Sequence, residues 1–122
     1  MAVIELKQDN FESTINDNDI VVLDFWAEWC GPCKQFGPIY DEVSNKFDDV
    51  VFAKVNTEIE QGLAQTFKIR SIPTLMIFRE KIIIFSQPGA IGAQDLENII
   101  NKTKELDMEK VKAEIAKKQQ EK

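Results

Sequence analysis

Two cysteines three positions apart, Cys30 and Cys33, are the residues of this 122-residue chain best equipped for covalent chemistry. With only Gly31 and Pro32 between them, their sulfurs can join with little backbone movement. As a structural staple such a bridge would do little. A closed loop of four residues contributes about 2 kcal/mol, against nearly 5 kcal/mol for a loop of a hundred. As a metal site the pair is incomplete, because structural zinc takes four ligands and the chain has two cysteines and no histidine. A reversible dithiol suits the pair best, and its expected setting is a Cys-x-x-Cys beside a β-α unit. At a helix start, Cys30 would meet free backbone N–H groups and the positive end of the helix dipole. That setting lowers its thiol pKa below the ~8.5 of a free cysteine, and the thiolate is the form that attacks. Cys33, one turn further in, is expected to be buried and to react second.

The elements around the pair follow from periodicity. Val3 to Leu6 is a short strand, then Asp9 and Asn10 are expected as helix caps before Phe11 to Ile15. Ile20 to Trp26 is a β-branched and aromatic run that reads as a buried strand, interrupted only by Asp24. Gly31 and Pro32 suit a turn into a helix reaching about Phe47, with Pro38 kinking it. Val50 to Val55 reads as a strand and Glu58 to Phe67 as a helix. Thr74 to Phe78 and Ile82 to Phe85 form a hairpin around Arg79, Glu80 and Lys81, and Asp95 opens a last helix through Ile100. Strand–helix alternation followed by a hairpin and a helix predicts an α/β fold, a mixed sheet with helices on both faces.

Composition narrows the function. The chain carries 15 basic and 21 acidic side chains, a net charge of −6, which argues against nucleic acid or an anionic membrane as partner. The absence of histidine removes histidine-activated nucleophiles and a histidine pH switch. No apolar run approaches a membrane span, and Glu5, Lys7 and Asp9 break up the only apolar stretch near the start, so no signal peptide is expected. The expected location is a reducing cytoplasm. Hydrophobic density falls beyond about residue 104, where the charge balance turns positive, seven basic residues against five acidic after Asn101. Residues 1–104 are therefore expected to form the domain and 105–122 a charged, helical tail. Met108, Val111 and Ile115 place a narrow apolar stripe on that tail. It reads first as a solvated extension of the last helix, and second as a helix that docks a partner.

The stretch Asp24-Phe25-Trp26-Ala27-Glu28-Trp29-Cys30-Gly31-Pro32-Cys33-Lys34, with Ile72-Pro73-Thr74 downstream, resembles the thioredoxin family over about residues 1–104. The resemblance implies the thioredoxin fold and a protein-disulfide reductase that cycles between a dithiol and a Cys30–Cys33 disulfide. It implies no bound cofactor, with reducing equivalents passing from NADPH through thioredoxin reductase, and protein disulfides as substrates. It makes Asp24 the proton acceptor and donor for Cys33, through water. By itself the residue could as well be an acid satisfied in the core or at a strand edge, although burial should raise its pKa in either case. Lys54 matches the family lysine beside that acid, where the residue alone could be a strand-end lysine reaching solvent. The resemblance also implies a cis bond before Pro73 and a flat docking surface of Trp29, Gly31, Pro32, Ile72, Pro73 and Gly89. On that surface the backbone of Ile72 is free to pair with an extended substrate. Gly89 could alternatively be a plain turn glycine, and Trp26 is expected to support the core. A monomer is expected.

Some positions depart from the family pattern. Ser71 stands where glycine is common and Gly37 where alanine is common. The hairpin lacks an Asn-Gly or Asp-Gly turn, and Pro88 is expected to end its strand early. Two other functions remain open: a disulfide oxidase or isomerase, which usually comes with an export signal and a histidine between the cysteines, and a non-catalytic binding subunit on the same fold.

Overall fold

The computed structural model describes residues 3–120; Met1, Ala2, Glu121 and Lys122, the outermost positions of the expected domain and tail, lie outside the described residues. Ten elements follow in order: β1 (Val3–Glu5), α1 (Gln8–Asp17), β2 (Ile20–Trp26), α2 (Gly31–Ser44), β3 (Val51–Asn56), α3 (Gln61–Thr66), β4 (Thr74–Arg79), β5 (Ile82–Pro88), α4 (Ala93–Glu105) and α5 (Met108–Gln120). The strands form one sheet in the order β1-β3-β2-β4-β5. β1, β3 and β2 run parallel, whereas β4 and β5 are antiparallel additions.

Strand alternation sorts the core into two layers. Ile20 and Val22 of β2 pack with Phe36, Tyr40 and Val43 of α2 and with Leu96 and Ile100 of α4. Val21, Leu23 and Phe25 point the other way, into a layer with Ile15 of α1 and Leu63 of α3. Burial of such side chains, at about 1.5–3 kcal/mol each, covers both faces of the central strand. This is the expected α/β architecture. Asp24 shares the parity of Ile20 and Val22, so the pattern carries its carboxylate to the α2 side.

Element ends differ from the sequence expectations where side chains compete for the backbone. Asp9 and Asn10 lie inside the first turn of α1 rather than before it: Lys7 N donates to Asn10 Oδ1 at 2.6 Å. α2 stops at Ser44, short of Phe47. α3 starts late because Asn56 Oδ1 accepts from Glu58 N (2.9 Å) and Ile59 N (3.3 Å), tying the preceding residues into a turn. Pro88 does not shorten β5; it pairs with Thr74. β5 is an edge strand, where a residue without an N–H is tolerated.

The hairpin loop is only Glu80-Lys81, since Arg79 ends β4, and both loop residues have positive φ (50° and 71°). Neighbouring chain holds this unfavourable turn: Glu80 N donates to Asp19 O at 2.8 Å, and Lys112 of α5 pairs with the Glu80 carboxylate. Arg79 Nη1 lies 2.7, 3.2 and 2.9 Å from the carbonyl oxygens of Thr103, Lys104 and Leu106, capping the C-terminus of α4. The chain after Glu105 is thus not a continuation of α4. It breaks at Leu106 and Asp107, Lys110 N donates to Asp107 Oδ1 (3.2 Å), and α5 begins with a buried Met108. This brace lies at the end of the sheet where β2 starts, opposite Cys30.

Left-handed backbone costs a side-chain-bearing residue about 1–2 kcal/mol. Lys81→Gly should therefore raise stability by about 1 kcal/mol, read as a higher urea midpoint with an unchanged slope.

Candidate functional site

Cys30 is the N-cap of α2, with Gly31 and Pro32 in the first turn, where proline's missing N–H has no cost. Its Sγ accepts a hydrogen bond from Cys33 N at 3.2 Å. The two cysteines form a disulfide with Cα atoms 5.2 Å apart. Both are buried to the same degree, 4% exposed, so access does not distinguish them. Hydrogen bonding does: the N–H of Cys33 points at the sulfur of Cys30 and favours negative charge there. Cys30 Sγ also lies 3.6 Å from the Ile72 carbonyl oxygen, the residue before the cis Ile72–Pro73 bond.

On the other side of Cys33, a cavity of about 160 Å³ opens between β2, β3 and α2. Asp24, Trp26, Cys33, Tyr40, Asp41 and Lys54 line it. Asp24 and Lys54 are paired in register and share the α2 side. Lys54 Nζ sits 4.9 Å above the Trp26 ring. The Asp24 carboxyl is pushed up to about 7, chiefly by burial and further by Asp41, against the lowering pull of Lys54. Its Oδ1 is buried without a hydrogen-bond partner in the protein. A cavity of this size, with the charged groups of Asp24, Asp41 and Lys54 in its lining, accommodates water that can bridge such a group.

The expected docking residues divide. Trp29 is 68% exposed, its Nε1 donating to Glu58 Oε1 at 2.9 Å. Gly31, Pro32 and Gly89 are exposed and Ile72 is half-buried. A Cβ on Gly31 would meet nothing within 4 Å, so its open backbone is not filling a close contact. Pro73, however, is buried and does not line the surface; its carbonyl accepts from Gly89 N at 2.7 Å. Gly89 has φ +101°, which explains a glycine there by backbone conformation alone.

Three participants escaped sequence reasoning. Tyr40, the single tyrosine, is fully buried with Oη 2.9 Å from Val22 O and 2.7 Å from Ala53 O, joining β2 and β3 beside Asp24. Asp41 acts on Asp24 through space, and Glu58 holds Trp29. Tyr40 lies seven residues after Cys33, two helical turns along one face of α2, and that spacing could have flagged it.

A disulfide-forming pair at a helix start, beside a cis-proline loop on a five-stranded mixed sheet, defines a thiol–disulfide oxidoreductase. The Thioredoxin family model matches residues 2–102, and the chain belongs to that family. It is 49% identical over 118 residues to a Streptomyces coelicolor protein provisionally named thioredoxin 2, covering 97% of this chain and 88% of that one. It is 39% identical to a Haemophilus influenzae thioredoxin, over 81% of this chain and 94% of that one. Among solved structures, a thioredoxin variant from Halobacterium salinarum superposes with TM-score 0.80 at 28% identity, covering 86% of this chain and 93% of that one. Spinach chloroplast thioredoxin f gives 0.75 at 33%, covering 82% and 92%. The protein is a disulfide reductase of a family that works without a bound cofactor. Among the described residues, no helix is long and apolar enough to cross a membrane.

The raised Asp24 pKa has a stability consequence. The folded state holds this proton more tightly than the unfolded chain, whose carboxyl titrates near 3.8. Its contribution is therefore fully present below about pH 4 and is lost as pH rises through about 7, by an amount on the order of 4 kcal/mol. Asp24→Asn should remove most of this decline, so urea midpoints of variant and parent should agree near pH 4 and separate by pH 8, with the variant the more stable.

Proposed function

We propose that the protein is a general reductase of protein disulfides in which Cys30 attacks, Cys33 resolves, and Asp24 manages the proton of Cys33. The hydrogen bond from Cys33 N to Cys30 Sγ carries this reading, because it marks Cys30 as the sulfur best able to hold charge. The Cys30 thiolate attacks one sulfur of the substrate disulfide, forming a mixed disulfide, and the displaced sulfur leaves as a thiolate that takes a proton from solvent. Cys33 then gives its proton toward Asp24, through water in the cavity, and attacks Cys30. The second substrate thiolate departs; the substrate has gained two electrons and the Cys30–Cys33 disulfide has formed. Lys54 tempers the carboxylate so that it can take and return a proton near neutrality.

Trp29, Gly31, Pro32 and Ile72 receive the substrate backbone, while Pro73 and Gly89 shape the loop beneath it. Thioredoxin reductase, supplied by NADPH, restores the dithiol, and the working location is the cytoplasm, where such a supply keeps thiols reduced. We assign residues 1–104 to the catalytic domain of a monomer and 105–122 to an appended helical segment. The acidic charge balance supports protein partners over nucleic acid or membrane.

With NADPH and a thioredoxin reductase, the protein should reduce insulin disulfides at a rate that Cys30→Ser abolishes. Retention of that activity by Cys30→Ser would overturn the assignment. Asp24→Asn should fold normally yet slow thiol exchange at pH 7 by roughly a hundredfold or more. Equal exchange rates for variant and parent would remove Asp24 from proton transfer.

A further inference from the structure

Trp29 and Ile59, 68% and 70% exposed, stand out as large apolar side chains given to solvent among the described residues. Trp29 follows β2 and directly precedes Cys30, Ile59 follows β3, and both are held in place. Glu58 accepts from Trp29 Nε1 at 2.9 Å. Thr57 N donates to Trp26 O at 2.9 Å, fastening the turn after β3 to the end of β2. Asn56 Oδ1 ties down the amides of Glu58 and Ile59. Apolar surface fixed in this way loses little conformational freedom on binding.

We propose that this shelf, from Trp29 across Glu58 to Ile59, docks the basic flank of a disulfide-bearing polypeptide. The proposal rests on the reductase reading of Cys30 and Cys33 and adds a substrate preference to it. A cavity of about 220 Å³ beside Ile59, floored by Leu6 and Asn56, has room for one aliphatic side chain. Carboxylates border the shelf: Glu28 precedes Trp29, Glu58 bonds it, and Glu5 and Glu60 line the cavity, where Lys7 is the one basic residue of the lining. Lysine or arginine beside an apolar residue complements that arrangement, and an acidic flank is repelled by it. A substrate passing the Ile72 carbonyl, 3.6 Å from Cys30 Sγ, can continue onto Trp29 without leaving the surface.

The test uses two peptides, each closed by one disulfide and carrying the same leucine, flanked by two lysines in one and two glutamates in the other. Single-turnover reduction by the dithiol form of the full chain should favour the lysine peptide about tenfold at low salt, taking up to about fivefold for each exposed charge pair. The ratio should fall toward unity at ~0.5 M salt, where charges are screened within a few ångströms. It should fall likewise in the double variant Glu28→Gln/Glu58→Gln, in which the amide still accepts from Trp29. Ile59→Ser should slow the leucine-bearing lysine peptide and not a version with glycine in place of leucine. A ratio of one in the parent at low salt, or one unchanged by the double variant, overturns the proposal while leaving the reductase reading intact. Failure to reduce either peptide overturns the reductase reading, and this proposal with it.

Discussion

A helix begins with N–H groups that have no partner inside it, and in this protein the sulfur of Cys30 takes one of them. The bond from Cys33 N makes the same atom both the cap of α2 and the group on which negative charge is best tolerated. Capping and reactivity thus have a single cause. β2 delivers the chain to this point, and its burial on both faces keeps the helix start from drifting relative to the Ile72 carbonyl.

The same strand that fixes the cap also introduces a carboxylate where a carboxylate is costly. Asp24 interrupts an otherwise apolar strand, is desolvated, and is only partly compensated by Lys54. A residue placed for stability alone would be apolar at this position. The cavity lined by Asp24 and Cys33 leaves room for water beside the charge without requiring the core to open. Tyr40 borders this cavity and, by reaching carbonyls on β2 and β3, joins the two strands that carry Asp24 and Lys54.

The opposite pole of the sheet is built to other rules. There Glu80 and Lys81 form a turn that their side chains disfavour, and contacts from Asp19 and Lys112 hold it. The relative from Streptomyces coelicolor aligns over 97% of the chain, including most of α5, whereas the Haemophilus influenzae thioredoxin aligns over 81%. The family model matches residues 2–102, so the helix that braces the turn lies beyond the part of the chain that it covers.

Much of this was legible in residue order. Alternation along Ile20–Trp26 places Asp24 on one side of a buried strand, and two cysteines at a helix start in a chain without histidine leave redox exchange as the natural chemistry. These are local properties, set by periods of two and 3.6 residues and by side-chain type. Other features depend on groups far apart in the chain. The burial of Pro73, the edge position that lets Pro88 stay in β5, the three carbonyls gathered by Arg79 and the approach of Tyr40 to Asp24 each join segments that no local period relates. Sequence by itself determined which atoms could react and which faces turn inward. Only the tertiary structure decided what lies across from them, because burial and pairing are set by neighbours that the chain brings together from a distance.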